Sequence, residues 1–566
     1  MTQTCKQCDT VFEISESDIA FYDKISPRFN GVKYSIPLPT LCPDCRRQKR
    51  LSFRNDRHLY KNTSSFSGKE IITFFSEDKK LTIYSPDEWW SDNYDPFSYG
   101  QEFDFSKTLF EQMYDLRRKV PFMSIMLLNS QNSDYTCFSY NARNAYLSTR
   151  VGESEDIFYS HTVLQKSKQC FDCYILYTCE LCYEAFYCAN CYECFFVQYL
   201  KNCSECRFCY DCVGCQNCFG CVGLRNKKYY FFNQEMTKEE YQLKMKEVDL
   251  GRYENLQKYK TLFQEHLSKF PRRAVRIVNS ENVTGDNIQN SKNLFSSFEI
   301  DLMEDAAYVY SSEQSKNAWD SEYDIHSEMT LEVASAASSQ NTCFSFGVYD
   351  SHEVYYSLNT YNSGNCFGCV NMKKGSYCIL NKQYSKEEYE ILVSKIIEHM
   401  KKTGEWGEFL NPLLSPFAYN ETVSFDFYPL EQKEVSGKGL IWKPVEEKEY
   451  MPATLSSIPD HIQNVSPDIC QQLLKCELTG KNYKIIPQEL KFYQTLNLPL
   501  PRLCPEARAS ERRKIKNPLK LWDRPCGKCS KVVKSSYPSS DYLRRTGAPE
   551  RSEIVYCETC YLESVY

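Results

Sequence analysis

From Cys170 to Leu224 every third residue, nineteen positions in a row, is Cys, Leu, Ala or Val, and fourteen of them are cysteine. No α-helix or flat strand repeats at three, since helices repeat at 3.6 residues and strands at 2. Polar and aromatic residues fill the gaps, with Asn, Asp or Glu often before the cysteine, as in Asp172-Cys173-Tyr174 and Asn217-Cys218-Phe219. Such a pattern resembles successive rungs of a parallel β-solenoid, in which small side chains stack along the interior. Cysteine suits that interior because it behaves as a small hydrophobe. The alternative is that Cys203, Cys206, Cys209, Cys212 and their neighbours hold iron-sulfur clusters or several zinc ions. A bacterial ferredoxin run needs CxxCxxCxxxCP, a spacing with no counterpart here.

The core of the chain is duplicated. Residues 217–241 recur as 365–389 with 12 of 25 positions identical, an offset of 148, and both copies end in a capping-box helix opened by Thr237 or Ser385. The second copy carries only Cys343, Cys366, Cys369 and Cys378, so the scaffold does not require a cysteine at every rung. That argues for a buried thiol ladder over obligatory metal ligands.

Two complete sets of metal-ligand spacing lie near the ends. Cys5-Lys-Gln-Cys8 and Cys42-Pro-Asp-Cys45 are separated by 33 residues, and Cys526-Gly-Lys-Cys529 and Cys557-Glu-Thr-Cys560 by 27. Two CxxC knuckles supply the four thiolates of a closed, structural zinc site. A degenerate third ribbon repeats the first: Phe492-Tyr493, Pro499-Leu-Pro501 and Leu503-Cys504-Pro505 match Phe21-Tyr22, Pro37-Leu-Pro39 and Leu41-Cys42-Pro43. In it Thr479 and Ala507 replace the second and fourth ligands, leaving Cys476 and Cys504, so it is expected to be metal-free. Basic runs follow the knuckles: Arg46, Arg47, Lys49, Arg50, Arg54 and Arg57 in one, Arg508, Arg512, Arg513, Lys514 and Lys516 in the other. They read either as a cationic stripe for an anionic partner, nucleic acid above all, or as a solvated face.

At 566 residues the chain is multi-domain, and a net charge of −6 excludes a uniformly basic nucleic-acid binder. No secretory h-region or membrane-length apolar run is found, so a soluble, cytoplasmic protein with reduced cysteines is expected. The expected fold is mainly β with α: tandem parallel β-solenoid-like repeats flanked by terminal zinc-ribbon or treble-clef modules. Its parts are a zinc ribbon at 1–62, an aromatic-acidic segment at 63–123, repeats at 124–270 and 271–425, a connector at 426–470, the degenerate ribbon at 471–523 and a zinc ribbon at 524–566. In 63–123, Trp89, Trp90, Asp92, Asp95 and Asp104 read as packing with acids at turns, or as a pocket for a cation or sugar.

Together, the LCPDCRRQKRLSFRN, EWWSDNYDPFSYGQEFDF, NCFGC and IVYCETCY stretches make the chain resemble a cysteine-rich zinc-ribbon family of small-genome, uncultivated bacteria. The resemblance implies fold and metal, and no activity. Some similar sequences carry a CaiB/BaiF CoA-transferase label, but this chain shows neither a Gly-rich CoA-binding pattern nor a candidate catalytic Asp. The expected function is a zinc-binding, non-catalytic scaffold whose ribbons contact RNA, the ribosome, DNA or a protein. The alternative is an enzyme acting in an aromatic, acidic groove of the solenoid, carbohydrate-active by analogy of fold.

Overall fold

In a computed structural model of the chain, residues 1–444, 450–455, 457–538 and 553–565 are described; the others fall in the expected connector and last ribbon, outside the described residues. The described residues are mainly strands with some helices. Among them no helix is long and apolar enough to cross a membrane.

Backbone geometry explains the period of three. Tyr183 pairs in parallel with Phe195, Phe195 with Arg207, Arg207 with Phe219 and Phe219 with Phe231, a constant step of 12 residues. Further columns start at Phe186, Ala189 and Tyr192 and keep the same step. Four columns three residues apart make a four-sided parallel ring. Its corners are single left-handed residues: Asn190, Glu193, Phe196, Tyr199, Asn202 and Glu205 all have φ between 50° and 59°. Each triplet is thus one paired residue, one left-handed corner and one inward side chain. The residues after these corners, Cys191, Cys194, Val197, Leu200, Cys203 and Cys206, are at most 2% exposed.

This geometry also accounts for the residues before the cysteines. A left-handed backbone costs an ordinary L-residue roughly 1–2 kcal/mol, and Asn, Asp and Gly the least. Asn202, Asp211, Gly214, Asn217 and Gly220 sit at such corners. Where an aromatic residue occupies one, stacking offsets the strain: Phe196 lies on Phe208 at 4.8 Å and Tyr187 on Tyr199 at 5.0 Å.

The second repeat keeps the same phase with different chemistry. From Ser291 to Cys378 every third residue again faces inward, but most are Ser, Thr, Ala or Val. Glu328, Gln340, His352, Gly364 and Ser376 form one parallel column, again at steps of 12. Sequence reading recognised rungs here but not this continuous phase, because hydroxyl residues hide it. The two side chains are hydrogen-bonded alike. Cys170 Sγ donates to the carbonyls of Lys168 and Cys179, two residues back and nine ahead. Ser339 Oγ donates to Ala337 and Val348, the same two positions, while the Ser339 backbone N–H donates to Ser327 Oγ one coil earlier at 3.2 Å.

Each stack is closed in the same way. An antiparallel strand pairs Tyr230 with Glu235 in one and Cys378 with Gln383 in the other. Asn233 bonds both the amide and the carbonyl of Val222, and Asn381 those of Val370, all at 2.8 Å, satisfying the exposed ring edge. The capping boxes expected at Thr237 and Ser385 are formed.

Packing order differs from chain order. One compact unit comprises Met1–Ile125, Val275–Pro444 and Pro518–Leu521, joining the first ribbon to the second stack. The other comprises Met126–Ala274, Val445–Asn517 and Trp522–Tyr566, joining the degenerate and last ribbons to the first stack. In the first unit the aromatic-acidic segment is core: Trp89 is buried against Tyr94 and Tyr361, and its indole N–H donates to Pro121. Asp95 and Asp104 accept the amides of Phe97 and Ser106 at turns.

Candidate metal centres and ribbon docking surfaces

Three knuckles share one backbone scaffold. The Cys5 amide donates to Thr10 at 3.0 Å, Cys476 to Lys481 at 2.8 Å and Cys526 to Lys531 at 2.9 Å. In the return bond, Asp9, Gly480 and Ser530 donate to those cysteines' carbonyls at 3.0, 2.9 and 2.9 Å, each with a left-handed backbone (φ 58°, 71° and 63°). The second half of each site opens a helix, Pro43–Leu51, Pro505–Ile515 or Glu558–Val565.

On this scaffold the sulfurs of Cys5, Cys8, Cys42 and Cys45 all lie within 4.8 Å of one another, and so do those of Cys526, Cys529, Cys557 and Cys560. Cys8 and Cys42 are 3.7 Å apart and Cys529 and Cys557 3.8 Å. A tetrahedron with metal–sulfur bonds of about 2.3 Å has edges of roughly 3.8 Å, so both donor sets fit a thiophilic ion such as zinc. The thiols already share protons unevenly. A hydrogen bond from Cys45 is the largest influence holding Cys42 down to about 5, and Cys45 is raised by the same bond. Burial raises Cys526, but backbone N–H groups of Cys529, Cys557 and Lys528 outweigh it and bring the thiol to about 6. The ladder forms no such centre: among the described residues these two clusters are the ones that could hold an ion.

The basic runs lie elsewhere than on a solvent-facing stripe. Arg46, Arg47, Arg50 and Arg54 are buried, with Arg50 fully so. Arg50 reaches Glu322 at 2.6 Å, Asp320 at 3.1 Å and also Glu332, while Arg46 pairs with Asp320 at 2.8 Å. Arg47 faces Glu322, and Arg54 bonds Asp56 and Ser335 and lies over the Tyr323 ring. Lys49 and Arg57 are closer to the surface, paired with Glu408 and Asp426. In the degenerate ribbon Arg508 pairs with Asp172 at 3.0 Å and Glu489 at 3.1 Å, and Arg512 also meets Asp172. Arg513 is half-buried, Lys514 is exposed and paired with Glu511, and Lys516 meets the Tyr174 hydroxyl. The expectation of phosphate contact is therefore corrected for the buried arginines: their guanidiniums need carboxylates because burying an unpaired charge is prohibitive.

These two docking surfaces are copies. Phe21 stacks on Trp319 at 3.9 Å, and Phe492 stacks on Phe171 at 3.8 Å. The Tyr308 hydroxyl bonds Asp18, and the Tyr159 hydroxyl bonds Glu489. Arg46 lies over the Tyr308 ring and Arg508 over that of Tyr159. Asp172 and Asp320 are separated by the 148 residues of the duplication. Sequence reasoning missed these acids, although Phe171-Asp172 and Trp319-Asp320 share that offset. No protein-family model and no curated protein matches the chain.

Proposed function

We propose that the chain is a zinc-loaded, non-catalytic scaffold: two β-solenoids of four three-residue faces per coil, carrying ribbons that fold around metal at both ends of the sequence. The observation that carries this reading is the pair of four-thiol clusters whose sulfurs lie within 4.8 Å of one another, with one distance in each, 3.7 and 3.8 Å, at the length of a tetrahedral edge. All four positions of each are filled by protein, which leaves no open position for substrate and makes the metal a structural element. Zinc would supply these small modules with about 10–16 kcal/mol of apparent folding free energy at pH 7. The ladder supports the scaffold role, since at rungs equivalent by the duplication Ser replaces Cys and donates to the same carbonyl two residues back, as at Cys191 and Ser339 and at Cys209 and Ser357, a substitution that soft-metal ligands would not tolerate.

The buried arginines serve to lock ribbons onto the stacks. Those side chains are thereby taken out of any contact with nucleic acid. The test is metal analysis with chelation: two zinc and no iron per purified chain, with chelator opening residues 1–62 and the last ribbon to hydrogen exchange while the ladder amides stay protected. A chain purified without zinc, with both ribbons fully protected, would refute it.

A further inference from the structure

The degenerate ribbon keeps more of a metal site than its ligand count suggests. Its first knuckle makes the same amide-to-carbonyl bonds as the other two, and a third bond recurs as well. Lys6 donates to Thr40, Glu477 to Arg502 and Gly527 to Val555, at 3.2, 3.1 and 2.8 Å. Its second half opens on Cys504 with φ −63° and ψ 158°, against −67° and 160° for Cys42, and proline follows in both. The Thr479 hydroxyl lies 3.8 Å from Cys504 Sγ, where the complete sites place a second sulfur at 3.7 and 3.8 Å. Ala507, 3% exposed, occupies the position of Cys45 and Cys560. Side-chain positions as well as backbone are thus retained.

Packing has taken over the role of the ion. Cys5, Cys42 and Cys45 share a small separate core with Phe12 and Ile14. Cys476, Cys504 and Ala507 instead belong to a large core with Tyr483, Leu490, Phe492 and Tyr493, continuous with Phe171, Tyr183 and Phe208 of the ladder.

From these observations we infer that the third ribbon is a preformed site for a thiophilic divalent ion from which only two donor atoms are missing. With its native side chains it binds no such ion and is held by docking. With Thr479→Cys and Ala507→Cys it binds one. The inference rests on the reading of the two four-cysteine clusters as zinc sites, but its measurement is an increment and so stands apart from that reading.

The test uses the full chain. Zinc per chain is expected to rise by one, from two to three, in the Thr479→Cys/Ala507→Cys variant, and cobalt loading to add thiolate-to-cobalt absorption of about half the native intensity. A variant with native circular dichroism and no added ion would overturn the inference. The native half is read independently of that variant's folding: Cys476→Ser is expected to leave zinc content unchanged, and loss of one equivalent would overturn it. A native chain holding no zinc at all would defeat the proposed function, while the increment in the double variant would still decide this inference.

Discussion

At the scale of the residue, the triplet divides labour among its three positions, and each can be tested by substitution. Asn202 is a left-handed corner (φ 53°). Asn202→Val should cost about 1–2 kcal/mol in chemical denaturation, and Asn202→Gly much less. At the inward position, Cys209 donates to the carbonyls of Arg207 and Cys218, the partners a serine would use. Cys209→Ser should therefore stay folded and lose on the order of 1 kcal/mol, whereas a metal ligand at that place would lose its ion. Inside the docking surface, burial is the largest influence on Glu332 and holds its proton up to about 6, against a usual value of 4.5, although Arg50 opposes it. The folded chain then keeps a proton that the unfolded chain releases. This carboxyl's contribution to stability is greatest below about 4.5 and declines as pH rises through 6. Glu332→Gln should flatten that part of the curve of melting temperature against pH; an unchanged slope would count against it.

Among the elements, the ribbon helices act through arginines aimed at the stacks. Arg50 meets three carboxylates in full burial, so Arg50→Ala leaves Asp320, Glu322 and Glu332 to share Arg46 and Arg47 alone. The expected loss is about 3–5 kcal/mol, and Arg508→Ala should do the same to Asp172 and Glu489. Thermal unfolding followed by tryptophan fluorescence would measure the first, because Trp319 stacks on Phe21 in that surface. How much of this was legible depends on where partners lie in sequence. The CxxC knuckles could be read because both ligands of each turn are three residues apart. The capping boxes at Thr237 and Ser385 were local too, and both formed. The arginines could not be placed, since Arg50 and Asp320 are 270 residues apart and a run of cations looks the same on a surface as against buried acids. The inward phase of the second stack escaped because Ser and Thr read as polar loop residues until their hydroxyls are seen bonding carbonyls two back and nine ahead.

Across the whole molecule, the thirty cysteines divide into groups with separate tasks. Eight are grouped in two sets of four that could each hold an ion, while those of the ladder fill rings as buried, hydrogen-bonded side chains. Burial is the chief cause raising Cys173 to about 12 and raising Cys343, which keeps both protonated at neutral pH. The duplicated docking surfaces let each compact unit hold one stack and one or more ribbons, whatever the order of those parts along the chain. Elemental analysis of the intact purified chain tests this division most directly. Two zinc ions and no iron per chain are expected, with the ladder thiols recovered as free thiols after denaturation. Several further thiophilic ions per chain, or zinc lost when ladder cysteines such as Cys206 and Cys209 become serine, would contradict it.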